Sequence, residues 1–304
     1  MAGNQRKDTT MAGIQSQLDS GAVPGHISNV CPPGTKLWLL ECGWLACDEG
    51  FVIRGGNTSL ASTAGQPFEN KRRNLPVYCC LISHPHEGLI LWETGCGKDY
   101  PEVWGPQVAD VFSRVKYDEK HELRNAIAAT GNKIEDVKKI IIGHLHLDHA
   151  GGLDEFFGRK DVEIWVHDKE LRSAFWSVAT GADEGVYLKH YLNLDLNWKT
   201  FDDRTIDFCQ GITLHHLPGH TDGLIGMQIN LPDSGTFFFI SDHCHVIENW
   251  RDGIPQGWLA RDHPAWFQST QRLKRLERTT RGRVIPGHDE ETFLALQKEK
   301  DVFT

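Results

Sequence analysis

The run His144-Leu145-His146-Leu147-Asp148-His149-Ala150-Gly151-Gly152 places four metal-binding side chains within six residues, directly after the apolar stretch Ile140-Ile141-Ile142. Imidazole nitrogen and carboxylate oxygen are the donors that zinc and similar divalent ions take. Crowded histidines repel one another when protonated, and a shared cation removes that conflict. The chain has 16 histidines, so two of them lying close would carry little weight. The ordered pattern H-x-H-x-D-H behind a strand demands more than proximity. Later, single candidates stand at His220, Asp242 and His288, in the turns Pro218-Gly219-His220, Ser241-Asp242 and Pro286-Gly287-His288.

The elements that must position these residues are short apolar runs that stop abruptly in polar chemistry. Leu89-Ile90-Leu91-Trp92 leads into Glu93-Thr94-Gly95, and Ile212-Thr213-Leu214 leads through His215 and His216 to the turn at His220. Phe237-Phe238-Phe239-Ile240 precedes Asp242, and Arg283-Val284-Ile285 precedes His288. Each predicts a strand whose carboxyl end delivers a residue into a loop, which is how rigid scaffolds present sites. Leu123, Ala126 and Ile127 have the i, i+3, i+4 spacing of a helix, and Trp266, Leu273 and Leu276 mark one face of a second helical segment starting near Pro264, rich in Arg and Lys. Two halves, 35–150 and 205–304, each hold strands and candidate ligands, so a sheet-on-sheet core with helices outside is expected. Between them, 168–200 is rich in Trp, Tyr, Phe and Leu and reads as a lid, an acyl pocket, a dimer surface or further core packing. His215 and His216 read as ordinary strand residues, because the Pro-Gly-His turn sets His220 apart.

The length of 304 residues allows one large or two ordinary domains, either able to bury a full core. Residues 1–30 read as a loosely structured N-terminal tail and 31–304 as a single domain. The tail lacks the apolar stretch of a signal peptide, and no run elsewhere approaches the ~20 apolar residues of a membrane span. A cytoplasmic protein without a membrane partner is expected. Eight cysteines without a C-x-x-C pair fit buried thiols rather than disulfides. A net charge of -9 argues against a nucleic-acid partner.

Taken together, H-x-H-x-D-H, then His, then Asp, then His resembles the dinuclear metallo-β-lactamase superfamily over about residues 35–295. The words GHLHLDHAGG, LPGHTDG, SDHCH and IPGHD stand in that superfamily's order. Within it the chain is most similar to the N-acyl-homoserine lactonases, since Leu75 to Leu81 followed by Glu87 to Gly95 looks like the paired early strands of that group. The resemblance implies an α/β fold, a four-layer αββα sandwich, holding two divalent metal ions. His144, His146 and His220 would hold one ion, Asp148, His149 and His288 the other, and Asp242 would bridge. Zinc leads the expectation, and Mn, Fe and Co also accept such mixed donors.

The implied activity is opening of a lactone ring, with Asp148 passing a proton to the departing ring oxygen and His245 steadying the oxyanion. Two positions depart from the lactonase pattern. His245 stands where that group usually has tyrosine, three residues after the bridging aspartate. Glu93 replaces the aspartate of an early D-T-G motif, and it is expected to orient a ligand histidine rather than bind metal. Other readings keep the site but change the chemistry. A thioester hydrolase usually adds a C-terminal glutathione-binding part, whereas 16 residues follow His288 here. A phosphodiesterase fits the negative charge poorly, and true β-lactamases place other ligands where Asp242 stands. A dinuclear-iron redox protein has glutamate at the position of His146 and carries a flavin domain. A non-catalytic metal-binding protein and a homodimeric assembly both stay open.

Overall fold

The computed structural model describes residues 30–183 and 185–304. The expected tail, 1–30, lies outside the described residues apart from Val30.

Among the described residues, twelve strands form two sheets. Strands β1 (Lys36–Asp48), β2 (Arg72–His84), β3 (Gly88–Trp92), β4 (Ser113–Lys116), β5 (Val137–Ile141), β6 (Glu163–His167) and β7 (Asn197–Phe201) build a seven-stranded sheet in the order β4-β1-β2-β3-β5-β6-β7. Strands β8 (Thr205–Cys209), β9 (Ile212–His216), β10 (Ile225–Leu231), β11 (Gly235–Phe239) and β12 (Arg283–Ile285) build a five-stranded sheet in the order β12-β11-β10-β9-β8. The division falls between the two halves read from the sequence.

Side-chain alternation decides how the layers stack. In β2, Tyr78, Cys80 and Ile82 join Trp92 of β3 and Ile141 of β5 in a cluster with Ile212, Met227, Ile229, Phe237 and Phe239 of the other sheet. The intervening Val77, Cys79 and Leu81 face a second cluster with Leu123, Ala126 and Ile127 of the helix Leu123–Ala129. Phe238 points opposite to its neighbours, toward Trp266 and Leu273 of the helix His263–Thr280. Both faces of each sheet are thus covered, which explains why these strands read as continuous apolar runs. The result is the expected helix-sheet-sheet-helix sandwich.

Segment 168–200 is mainly packing. It forms the helix Asp168–Thr180, then a coil whose Tyr187, Tyr191, Leu192 and Leu196 are buried in the first cluster. All eight cysteines are free thiols, seven of them buried. Among the described residues no helix is long and apolar enough to cross a membrane.

Candidate metal centre

The predicted strand ends converge on one spot. β5 ends at Ile141 and releases the His144 to His149 run; β11 ends at Phe239 ahead of Asp242; β12 ends at Ile285 ahead of His288. His220 arrives from the turn after β9. Glu93 follows β3, its N–H held by the carbonyl of Ile141 at 2.9 Å. Close approach there requires glycine. A Cβ on Gly143 would lie 2.4 Å from Glu93 Oε1, and one on Gly287 would lie 2.5 Å from Asp242 Oδ1.

The donors fall into two trios around Asp242. His144, His146 and His220 offer ligand atoms within 4.8 Å of one another, and so do Asp148, His149 and His288. Asp242 Oδ2 faces the first trio, 3.5 Å from His220 Nε2 and 3.8 Å from His144 Nε2. Oδ1 faces the second, 3.0 Å from His288 Nε2 and 3.2 Å from His149 Nε2. Asp148 completes that side, 3.4 Å from His288 Nε2 and 3.7 Å from His149 Nε2. The seven residues expected as ligands are therefore brought together, with one carboxylate between two groups.

The spacing suits cations. Two imidazole nitrogens on one tetrahedral zinc sit roughly 3.3 Å apart, given Zn–N distances of about 2.0–2.1 Å. His146 Nδ1 and His220 Nε2 are 3.1 Å apart, and His149 Nε2 and His288 Nε2 are 3.3 Å apart. Buried His144 Nε2 has no hydrogen-bond partner at all. A buried donor set left orphaned in this way is costly unless something occupies its focus.

The outer nitrogens of His144, His149, His220 and His288 are tied back, which fixes which nitrogen of each faces inward. His288 Nδ1–H donates to the carbonyl of Pro76 at 3.0 Å. His220 Nδ1–H donates to Gln256 Oε1 at 3.3 Å, while Gln256 Nε2 donates to the carbonyls of Asp242 and His243. His144 Nδ1–H donates to Ser241 Oγ at 3.3 Å, and His149 Nδ1–H reaches Glu93 Oε1 at 3.2 Å. Glu93 thus orients a histidine as expected, from a distance that keeps it behind the ring.

Charge is divided unequally. Burial, reinforced by neighbouring histidines or Arg261, drives His144, His146 and His220 well below the ordinary imidazole value, so all three are neutral lone-pair donors. Burial also pulls on His149 and His288, but Asp242, with Asp148 and for His149 also Glu93, outweighs it and raises both. Burial opposes ionisation of Asp242, and the surrounding His288, His149 and His245 overcome it, holding the carboxyl far below the carboxylate range.

His245, the expected oxyanion donor, sits with its Nε2 3.1 Å from Asp242 Oδ2 and neither ring nitrogen hydrogen-bonded. Its backbone N–H is fixed by Asn249 Oδ1 at 3.1 Å. His215 and His216 stay out of the site: His215 pairs with Gln228 at 2.9 Å, and His216 stacks on His167 at 3.8 Å. Gln256 carries no sequence signal that marks it, since it acts only through contacts distant in the chain.

The family model of the Metallo-beta-lactamase superfamily matches residues 72–288. N-acyl homoserine lactonase AiiB of Agrobacterium fabrum (strain C58 / ATCC 33970) is 25% identical over 282 residues, covering 89% of this chain and 99% of its own. An N-acyl homoserine lactonase of a Bacillus species is 28% identical over 257 residues, covering 84% and 93%. A solved N-acyl homoserine lactone hydrolase, with the product N-hexanoyl-L-homoserine bound at its catalytic metal center, superposes with a TM-score of 0.69 at 26% identity, covering 87% and 96%.

Proposed function

The chain belongs to the metallo-beta-lactamase superfamily, and on that premise we propose that it is a dinuclear metal-dependent hydrolase that opens N-acyl-homoserine lactones to N-acyl-homoserines. The observation that carries this reading is the bidentate placement of Asp242, one oxygen toward each trio of donors. Its substrate class is supported by likeness to lactonases over nearly their whole length. Zinc is the proposed metal, and His144, His146 and His220 on one side and Asp148, His149 and His288 on the other are the proposed ligands, bridged by Asp242. Bound there, a pair of divalent cations supplies Lewis acidity, lowering the pKa of water toward ~7 and polarising an ester carbonyl.

The chain's own groups do the rest. Asp148 is the most exposed of the seven, its side chain 14% accessible, and lines the opening with His245. From there its carboxylate can take a proton from the attacking water and hand it to the ring oxygen as that departs. His245 approaches from the other side of Asp242, where an imidazole N–H can meet the carbonyl oxygen as charge develops on it. Leu75, Phe112, Val186 and Leu259 wall the opening with apolar surface. Phe112, Val186 and Leu259 continue into a groove of about 390 Å³ bordered by Phe51, Val108, Val111 and Trp258 on its apolar part and by Gln107, Asp183 and Arg261 on its polar part, a mixed surface whose apolar part suits an acyl tail.

A cytoplasmic location and a homodimer complete the proposal; sedimentation of the full chain addresses the second. The deciding measurement is proton release from short- and long-chain lactones, thioesters, β-lactams and phosphodiesters, on protein of measured metal content. Acidification confined to lactones is the expected result. No ring opening at any chain length sinks the substrate assignment.

A further inference from the structure

Glu170 stands in the first turn of the helix Asp168–Thr180, where an acidic residue ordinarily faces water and complements the helix dipole. Here it is completely buried. A carboxylate in that position is tolerated only when donors fill it. Oε1 accepts from the N–H of Leu145 at 2.9 Å and from the Tyr187 hydroxyl at 3.0 Å, and Oε2 accepts from Thr221 Oγ1 at 2.5 Å.

These partners share one address. Leu145 lies between His144 and His146, Thr221 follows His220, and the Tyr187 ring stands edge-on to His146 at 4.7 Å. One carboxylate therefore ties together the chain beside all three histidines on the Oδ2 side of Asp242. The turn after His220 also packs directly on the helix start: a Cβ on Gly223 would lie 2.1 Å from Glu170 N. Two loops far apart in sequence are locked to one helix at one point.

We propose that Glu170 is a positioning residue that holds His144, His146 and His220 in the convergent geometry needed to take one cation, without being a ligand itself. A backbone N–H can only donate, so the acceptor facing Leu145 must have an oxygen there. Alanine leaves three donors buried without an acceptor and frees the two loops. Glutamine keeps the volume and one oxygen, and its amide turns two hydrogens toward groups that need an acceptor.

The inference rests on the two-metal reading, and its test measures metal binding instead of turnover. Parent protein, Glu170→Gln, Glu170→Ala and Thr221→Val are stripped and titrated with zinc(II) against a chromophoric chelator, and with cobalt(II) while the visible absorption is followed. His220→Ala identifies which binding step belongs to the three-histidine side. Glu170→Ala should weaken that step about tenfold or more, the range seen when groups behind a ligand are lost, alter its cobalt spectrum and leave the other step nearly unchanged. Glu170→Gln should recover part of the loss, and Thr221→Val should show a smaller loss at the same step. Should Glu170→Ala fail to fold, Thr221→Val and Tyr187→Phe carry the test, each removing one donor.

Equal weakening of both steps, or a lower melting temperature with both steps intact, overturns the proposal and leaves Glu170 a purely structural residue. A parent that binds two cations yet opens no lactone overturns the proposed substrate and leaves this inference standing.

Discussion

Ser241 Oγ donates a hydrogen bond to Glu93 Oε1 at 2.8 Å, and both residues carry left-handed backbone, with φ of 46° and 60°. Non-glycine residues held there cost on the order of 1–3 kcal/mol each and persist where the surroundings over-determine them. Glu93 Oε2 also accepts from the N–H of Gly143 at 3.1 Å, and Ser241 Oγ accepts from His144 Nδ1–H at 3.3 Å. Through this pair the loop after β3 and the loop after β11 grip His144 and His149, one from each side of Asp242.

Shortening Glu93 tests the grip. Glu93→Asp keeps the charge but withdraws it by one methylene, so it cannot reach Gly143, Ser241 and His149 together. Overall metal affinity should fall about 10–100-fold, with Ser241→Ala losing less. Chelator competition measures both, and unchanged affinity in Glu93→Asp would show that the longer side chain is not used.

Asp242 is predicted to be irreplaceable for pairing two cations. Asp242→Ala should reduce the bound metal below two per chain, measured by elemental analysis after gel filtration. Gly287→Ala should act similarly without touching a ligand, since its Cβ would fall 2.5 Å from Asp242 Oδ1 and 2.9 Å from Ser241 backbone. Full dinuclear loading of either variant contradicts the bridging assignment.

The convergence of these side chains was legible in the sequence because the proposed ligands sit at strand ends. A strand end writes itself as an apolar run stopping at a glycine or serine, as at Gly143, Ser241 and Gly287. Buried groups that act across the fold leave no such mark. Glu170 looks like any acid in a helix's first turn, and Gln256 like any loop amide, until the fold sets them 2.9 Å from Leu145 N and 3.3 Å from His220 Nδ1. The reading of 168–200 was open for the same reason. Its aromatic richness fits packing and pocket equally, and the structure uses most of it as packing, with Glu170, Val186 and Tyr187 reaching the site.

His245 should matter to turnover more than to substrate binding. Removing one oxyanion donor costs about 10²–10³ in kcat, so His245→Ala is expected to lower kcat by that order with KM little changed. His245→Tyr should restore much of it, because a phenol O–H can serve the same oxygen. Steady-state kinetics on fully loaded protein decide the matter. A His245→Ala variant that loses metal, with turnover per bound metal intact, assigns the residue to the centre's structure instead.

Chelation should destabilise the fold. A ligand bound to the native state alone adds RT ln(1 + [L]/Kd), about 2.7 kcal/mol at a hundredfold excess over Kd. Melting with and without a strong chelator should therefore show a lower Tm in the stripped protein, recovered when zinc is returned. An unchanged Tm would mean that the donors hold no cation of consequence to folding.

Asp154 gives a pH-dependent prediction away from the ligands. Its Oδ1 is buried without a partner, and burial, then the nearby Asp99 and Glu155, push its carboxyl up to about 6. The unfolded value is about 3.9, so the native state binds this proton more tightly than the unfolded chain. The resulting stability is complete below pH ~3.9 and is lost as pH rises through about 6. At neutral pH the ionised group is a liability that asparagine removes. Asp154→Asn should melt higher than the parent at pH 7.5, with the gain shrinking through pH 5 and vanishing near pH 4, when both are compared as chelated protein. A gain that persists undiminished at pH 4 would trace to packing, and no gain at pH 7.5 would show that the carboxylate finds compensation in the native state.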